Sequence, residues 1–225
     1  MMAPISYSSG SDPVEERRRT ALAAVQHLRT VTPRFGELID RIGPHRPIIT
    51  RNPFTALLGS IIQQQVSMSA ASAIYNRLKA LCPRRRPTPA AILELDDDTL
   101  RGIGLSRQKV AYVRNIGEAF ATRALTTAGL RRMSDEEVLA ATTRIKGVGR
   151  WTAEMLLIFC LERPDVWPVD DLGLKKALRD FLGRREMLPP AEMQEAGELW
   201  RPYRSYATWY LWRSLEGPMM PGVAI

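Results

Sequence analysis

The chain has 225 residues, with 32 Lys and Arg against 24 Asp and Glu, for a formal net charge of +8. That length supports one domain or two compact lobes with a substantial core, and the charge favours an anionic partner such as nucleic acid, with a solvated basic surface as the plainer alternative. The only two cysteines, Cys82 and Cys160, have no cysteine or metal-type histidine beside them, which excludes a four-cysteine iron–sulfur cluster and disfavours a disulfide framework or cysteine-held zinc.

No apolar run approaches the roughly twenty residues of a membrane span, and the first residues lack a charged-then-apolar leader. Cysteine poverty fits a reducing compartment. The expectation is a soluble, cytoplasmic protein with no membrane partner.

Helices are predicted almost everywhere. Residues 1–11 are small and polar and read as a frayed end. Asp12-Pro13 is a cap and first-turn pair opening a helix with Leu22, Val25 and Leu28 on one face. Thr32-Pro33 repeats the device before Phe35, Leu38, Ile39 and Ile42, and Asn52-Pro53 repeats it before a long apolar helix through Ile62. Ser67 can cap the next helix, whose Ala70, Ala71, Ile74 and Leu78 are spaced for a buried stripe.

Pro83-Arg84-Arg85-Arg86-Pro87 reads as a basic loop, since two prolines prevent a regular helix and leave three cations in solvent. Arg101-Gly102-Ile103-Gly104 precedes a helix and reads as a tight helix–helix turn. Ser134-Asp135-Glu136-Glu137 is a capping box. No alternating apolar and polar run is long enough to require a strand, so the fold class is all-α.

The stretch richest in chemistry is Ile145-Lys146-Gly147-Val148-Gly149-Arg150-Trp151-Thr152-Ala153. Glycine reaches positive φ and lets another backbone approach closely, so this turn can lie flat against a ligand. Thr152, Ala153, Met155, Leu156, Leu157, Phe159 and Cys160 then form an apolar helical run, which places the turn's N–H groups at a helix N-terminus. Such N-termini attract anions through unsatisfied N–H groups and the helix dipole, and a DNA phosphate is a fitting guest. One helix downstream, Trp167-Pro168-Val169-Asp170-Asp171-Leu172-Gly173-Leu174 offers carboxylates that could reach a sugar beside that phosphate.

With these blocks, Gly59-Ser60-Ile61-Ile62-Gln63-Gln64-Gln65-Val66-Ser67 and Arg201-Pro202-Tyr203-Arg204-Ser205-Tyr206-Ala207 stand in an order that resembles the helix-hairpin-helix (HhH-GPD) DNA glycosylase superfamily. Within it, the likeness is to the bacterial 3-methyladenine DNA glycosylase II group, over residues 53–216. The resemblance implies two helical lobes with a DNA-binding helix-hairpin-helix motif and a cleft between the lobes. Residues 1–50 and 165–225 would form one lobe and 51–164 the other. About fifty N-terminal residues cannot supply the mixed α/β lobe of longer members, so the chain resembles a compact variant.

The function implied is that of a monofunctional glycosylase of base excision repair. It would flip out alkylated purines of the 3-methyladenine and 7-methylguanine type and hydrolyse the N-glycosidic bond, leaving an abasic site. Asp171 matches the family's catalytic aspartate, which stabilises an oxocarbenium-like transition state; Asp170 is its competitor, assigned to helix capping or support. Members that also cleave the backbone carry a Schiff-base lysine where this chain has Trp151, and Lys146 lies before the turn.

Trp151, Met155 and Trp212 match base-pocket positions, Met155 departing from an aromatic residue in longer members; Tyr206, Trp209 and Trp167 are neighbouring candidates, with core packing preferred for Tyr206 and Trp209. Alkylated purines carry ring charge and favour electron-rich faces. Gln65 matches the intercalating position, a leucine in longer members, with Gln64 as helper.

Lys146, Gly147, Val148, Gly149, Arg150 and Thr152 match hairpin DNA contacts, and Lys175 is a further phosphate candidate. By position, the backbone carbonyls of Thr143, Ile145 and Val148 would hold the structural sodium or potassium ion often bound by such hairpins; no cofactor is otherwise required. The expected partner is double-stranded DNA containing damaged bases, bound by a monomer at the bacterial nucleoid. The alternatives are a non-catalytic helix-hairpin-helix DNA-binding module and a glycosylase of the same fold for another lesion.

Overall fold

The computed structural model describes residues 12–215; the end expected to fray, residues 1–11, lies outside them. Thirteen α-helices follow one another, and no strand occurs among the described residues. They are α1 (Pro13–Val31), α2 (Pro33–Ile42), α3 (Pro53–Gln63), α4 (Met68–Leu81), α5 (Pro89–Glu94), α6 (Asp97–Gly102) and α7 (Arg107–Ala121). After these come α8 (Thr127–Arg132), α9 (Asp135–Thr143), α10 (Arg150–Phe159), α11 (Leu172–Phe181), α12 (Pro190–Glu198) and α13 (Arg204–Leu215).

The chain divides into two compact units, with breaks at Arg46–Pro47 and Asp171–Leu172 rather than at 50–51 and 164–165. Local bonds set those breaks. Thr50 N–H donates to Phe159 O at 3.0 Å, tying the segment before α3 to the end of α10. Residues 165–171 stay with α10 because Trp151 donates to Asp171, while Val169 N–H to Trp167 O at 3.0 Å and Asp171 N–H to Pro168 O at 2.9 Å fold the segment into a tight turn.

The first unit holds α1, α2 and α11–α13. Its centre is an aromatic cluster in which Phe35 meets Phe181 at 4.7 Å and Trp200 at 5.1 Å between ring centroids. Leu28, Leu174, Leu178, Ala207 and Leu211 are fully buried in the same unit. Asp12 caps α1 by accepting from Val14 N–H at 3.0 Å. Thr32 does not cap α2 with its side chain; its hydroxyl instead accepts from Trp200 Nε1 at 3.0 Å, a tertiary partner invisible to local sequence.

On α1 the predicted face is also shifted. Leu22 is 56% exposed, and the buried ridge is Ala24 with Leu28. Residues four apart lie over one another on a helix, whereas Leu22 and Leu28 are well over a quarter-turn out of line.

The second unit holds α3–α10. Phe54, Leu57, Leu58, Ile61 and Ile62 of α3 are all buried, and α3 packs against α4, α7 and α10. A helix apolar on so many sides must be surrounded. Asn52 caps it by accepting from Phe54 and Thr55 N–H, Ser67 caps α4, and Ser134 with Glu137 completes the capping box of α9. Pro83–Arg85 forms a short 3₁₀ turn in which Arg84 and Arg85 have φ of 52° and 55°, and all three arginines of that loop are exposed. Cys82 and Cys160 are buried and unpaired.

His45, after α2, packs its ring on Tyr206 at 4.4 Å and Trp209 at 4.7 Å, while the Tyr210 hydroxyl donates to Gly43 O at 3.2 Å. Burial pushes the His45 imidazole down from 6.5 to about 3. The unfolded chain therefore binds a proton there first as pH falls, so the stability this ring contributes is full above about 6.5 and declines towards about 3. Urea unfolding midpoints should fall across that range, and His45→Phe should flatten the decline.

Candidate functional site

The hairpin begins where α9 runs out. Ile145 N–H donates to Thr142 O at 3.0 Å and Val148 N–H to Ile145 O at 2.9 Å, and the buried side chains of Ile145 and Val148 anchor the turn from below. Arg163 holds the preceding chain in place by donating to Met133 O at 2.6 Å and pairing with Asp135 at 3.3 Å.

The two hairpin glycines do different work. Gly147 has φ +106°, and a Cβ there would lie 2.2 Å from Cγ of Tyr112. Its missing side chain makes room for a ring of this chain. Gly149 has φ −86° and ψ 173°, and a Cβ at this position would meet nothing within 4 Å, so it needs neither positive φ nor close approach. Its contribution is chemical: as the N-cap of α10 it brings no side-chain acceptor, leaving first-turn N–H groups for an external anion.

The earlier glycine turn makes the contrast plain. Gly104 has φ +105°, and it, not Gly102, corresponds to Gly147. There Ser106 occupies the N-cap and accepts from Lys109 N–H at 3.2 Å, so α7 is closed by its own side chain.

Around the hairpin, Thr143, Lys146, Gly149 and Arg150 are exposed, while Thr152 and Val148 are buried. Arg150 Nε donates to Glu154 Oε1 at 2.9 Å.

Glu154 was not expected. It lies within the apolar run of α10, is 2% exposed, and burial raises its carboxyl above the usual range, opposed by Arg150 and reinforced by Asp170 and Asp171. The only sequence signal was the four-residue spacing from Arg150.

Trp151 and Asp171 are brought together: the indole Nε1–H donates to Asp171 Oδ2 at 2.8 Å. Trp151 is still 38% exposed and Asp171 is half-buried, whereas Asp170 is exposed. Asp171, not Asp170, is the residue directly before α11. Met155, one turn beyond Trp151, is 9% exposed.

Trp167 is buried, Tyr206 and Trp209 pack against His45 in tilted and edge-on contacts, and Trp212 is half-buried on α13. Lys175 is half-buried on α11.

At the end of α3, Gln64 is the C-cap and Gln65 has φ 58°, a left-handed conformation costing a non-glycine residue roughly 1 kcal/mol or more. Gln65 is exposed, flanked by exposed Val66 and by Met68 beyond. The Gln64 amide reaches Gly147 O at 3.4 Å, a long bond linking this turn to the hairpin.

The model of the HhH-GPD superfamily of base excision DNA repair proteins matches residues 58–202. The chain belongs to that superfamily. It is 34% identical to DNA-3-methyladenine glycosylase 1 of Schizosaccharomyces pombe, over 89% of this chain and 92% of the relative.

The structure of the S. pombe 3-methyladenine DNA glycosylase Mag1 in complex with abasic DNA superposes with a TM-score of 0.79 at 33% identity, covering 88% of this chain and all of that one. A Bacillus halodurans DNA-3-methyladenine glycosidase gives 0.77 at 32%, covering 86% and 89%. Among the described residues all regular structure of this superfamily member is helical, and no helix is long and apolar enough to cross a membrane.

Gly147→Ala should cost about 2–4 kcal/mol, since a new Cβ meets an aromatic ring at a positive φ. Gly149→Ala should cost less than about 1 kcal/mol. Urea denaturation of the two variants checks this; equal losses would show that the Tyr112 contact does not fix the turn.

Proposed function

We propose that the protein is a monofunctional DNA glycosylase of base excision repair that removes alkylated purines of the 3-methyladenine and 7-methylguanine type. The observation that carries this reading is the Trp151–Asp171 hydrogen bond of 2.8 Å beside the uncapped start of α10. It joins a carboxylate and an aromatic face at the point where a phosphate would dock.

Hairpin N–H groups of residues 149–152 cradle a backbone phosphate, the Val148 N–H being held by Ile145 O, and the exposed Lys146 and Arg150 add charge; Lys175 is a further contact by its charge alone. Gln65, exposed and held in a left-handed turn, enters the stack as the damaged nucleotide leaves it, with Gln64 behind it. Trp151 receives the base on its ring, its N–H already committed to Asp171, and Met155 supplies soft packing beneath. Trp212 is assigned to base recognition by its family match.

As the C1′–N bond breaks, its electron pair leaves with the cationic base, which departs neutral. Asp171 stabilises the positive charge left on the sugar. Water adds to C1′ and loses its proton to the carboxylate or to solvent, leaving an abasic site. Trp151 in place of an amine rules out a Schiff base at that position.

The carbonyls of Thr143, Ile145 and Val148 are hard oxygen donors from one short loop, a set that suits sodium or potassium; bound there, the ion would offset phosphate charge. Ile145 O also accepts the Val148 N–H, which one carbonyl can do while keeping a second lone pair. We place the enzyme in the cytoplasm, on the chromosome, and the two unpaired thiols support a reducing setting.

The test is base release from methylated duplex, with alkali added only afterwards to cut abasic sites. Wild type should give alkali-dependent cleavage and no borohydride-trapped adduct. Asp171→Asn should lose on the order of 100-fold or more of the rate, as for other groups that stabilise transition-state charge, while Asp170→Asn keeps most of it. A trapped adduct, or full activity in Asp171→Asn, would overturn the mechanism.

A further inference from the structure

Three side chains of α7 touch both loops assigned to DNA. Lys109, Tyr112 and Asn115 follow each other at intervals of three along this helix, so each neighbours the next while the set winds part-way round it. The Lys109 ammonium donates to Ile62 O at 2.8 Å and to Gln64 O at 2.6 Å, at the C-terminal end of α3. The Tyr112 ring lies against the bare Cα of Gly147. Asn115 Nδ2 donates to Lys146 O at 3.0 Å. The first residue therefore grips the turn that carries Gln65, and the other two grip the hairpin.

The other bonds of the Gln65 turn are weaker ones, among them the Gln63 amide donating across it to the Met68 thioether at 2.7 Å. Its closing backbone bonds are long, 3.3 Å from Gln64 N–H to Ile61 O and 3.4 Å from Val66 N–H to Gln63 O, and Gln65 itself sits at φ 58°. A cation on the last carbonyls of a helix is favoured by the helix dipole, and charged hydrogen bonds are the stronger kind.

We propose that Lys109 is a positioning residue that clamps the Gln65 turn in its insertion-ready form and, with Tyr112 and Asn115, fixes that turn's register against the hairpin. The proposal rests on the glycosylase reading given above. Lys109 acts through Gln65 and does not bind phosphate, because its ammonium is directed into protein carbonyls. Burial also lowers the pKa of this amine, as expected for a group drawn in from solvent.

Lys109→Met, which keeps the apolar stem, and Lys109→Arg, which keeps a cation able to bridge two carbonyls, test the clamp in the full chain. Single-turnover release of 7-methylguanine is compared in two duplexes, one with cytosine opposite the lesion and one with an abasic analogue opposite it. Lys109→Met should lose about 10-fold or more on the paired lesion and at most about 3-fold on the unpaired one, where less stacking and pairing must be broken; Lys109→Arg should recover most of the difference.

The slope of binding affinity against salt should be unchanged, whereas loss of a phosphate contact would lower it by about 0.9. Equal losses on both duplexes, no loss at all, or a reduced salt slope would each overturn the clamp.

A fluorescent 2-aminopurine placed opposite an abasic analogue reads insertion without catalysis. Wild type should change its signal, and Lys109→Met should not; a full response in Lys109→Met overturns the clamp. Wild type that inserts but releases no alkylated base would overturn the glycosylase reading alone.

Discussion

The packing of the Tyr112 ring against the bare Cα of Gly147 is the contact on which the hairpin depends. It forces residue 147 to be glycine twice over, by φ of +106° and by the 2.2 Å that a Cβ would leave. With the turn so fixed, Val148 goes into the core, Gly149 opens α10 without a capping side chain, and Trp151 emerges in the first turn of that helix. The N–H groups at the start of α10 and the indole that holds Asp171 therefore take their placement in part from this contact.

Charge around this helix is arranged in opposition. Arg150 is exposed and Glu154 is buried beneath it, and the pair joins positions one turn apart. A buried carboxylate without a partner would be costly; here the arginine offsets part of that cost while staying accessible to solvent. Glu154 in turn lies in the same electrostatic neighbourhood as Asp170 and Asp171, so the base of the site gathers three carboxylates, with Arg150 bound to Glu154. The half-buried Asp171 takes its orientation from the Trp151 N–H.

Much of the fold was legible because its signals are local. Asp12, Asn52, Ser67 and the Ser134/Glu137 box cap their helices as their spacing predicts, and the apolar run of α3 could only be a buried helix. Where the reading failed, a distant partner had intervened. The Thr32 hydroxyl accepts from the Trp200 indole rather than from α2, and Leu22 faces solvent because Ala24 and Leu28 form the ridge. The break between units falls at Asp171–Leu172 because hydrogen bonds keep the intervening loop with α10, which composition cannot reveal.

The sequence by itself determined the all-helical class, the hairpin and its place before an apolar helix, and the candidates Asp171, Trp151 and Gln65, since residue type and short spacing carry those features. Only the tertiary structure decided that Gly147 makes room for Tyr112, that Glu154 sits buried under Arg150, and that Lys109 reaches back across α3 to its terminal carbonyls. Those contacts join residues distant in the chain or depend on burial, and burial is a property of the packed molecule.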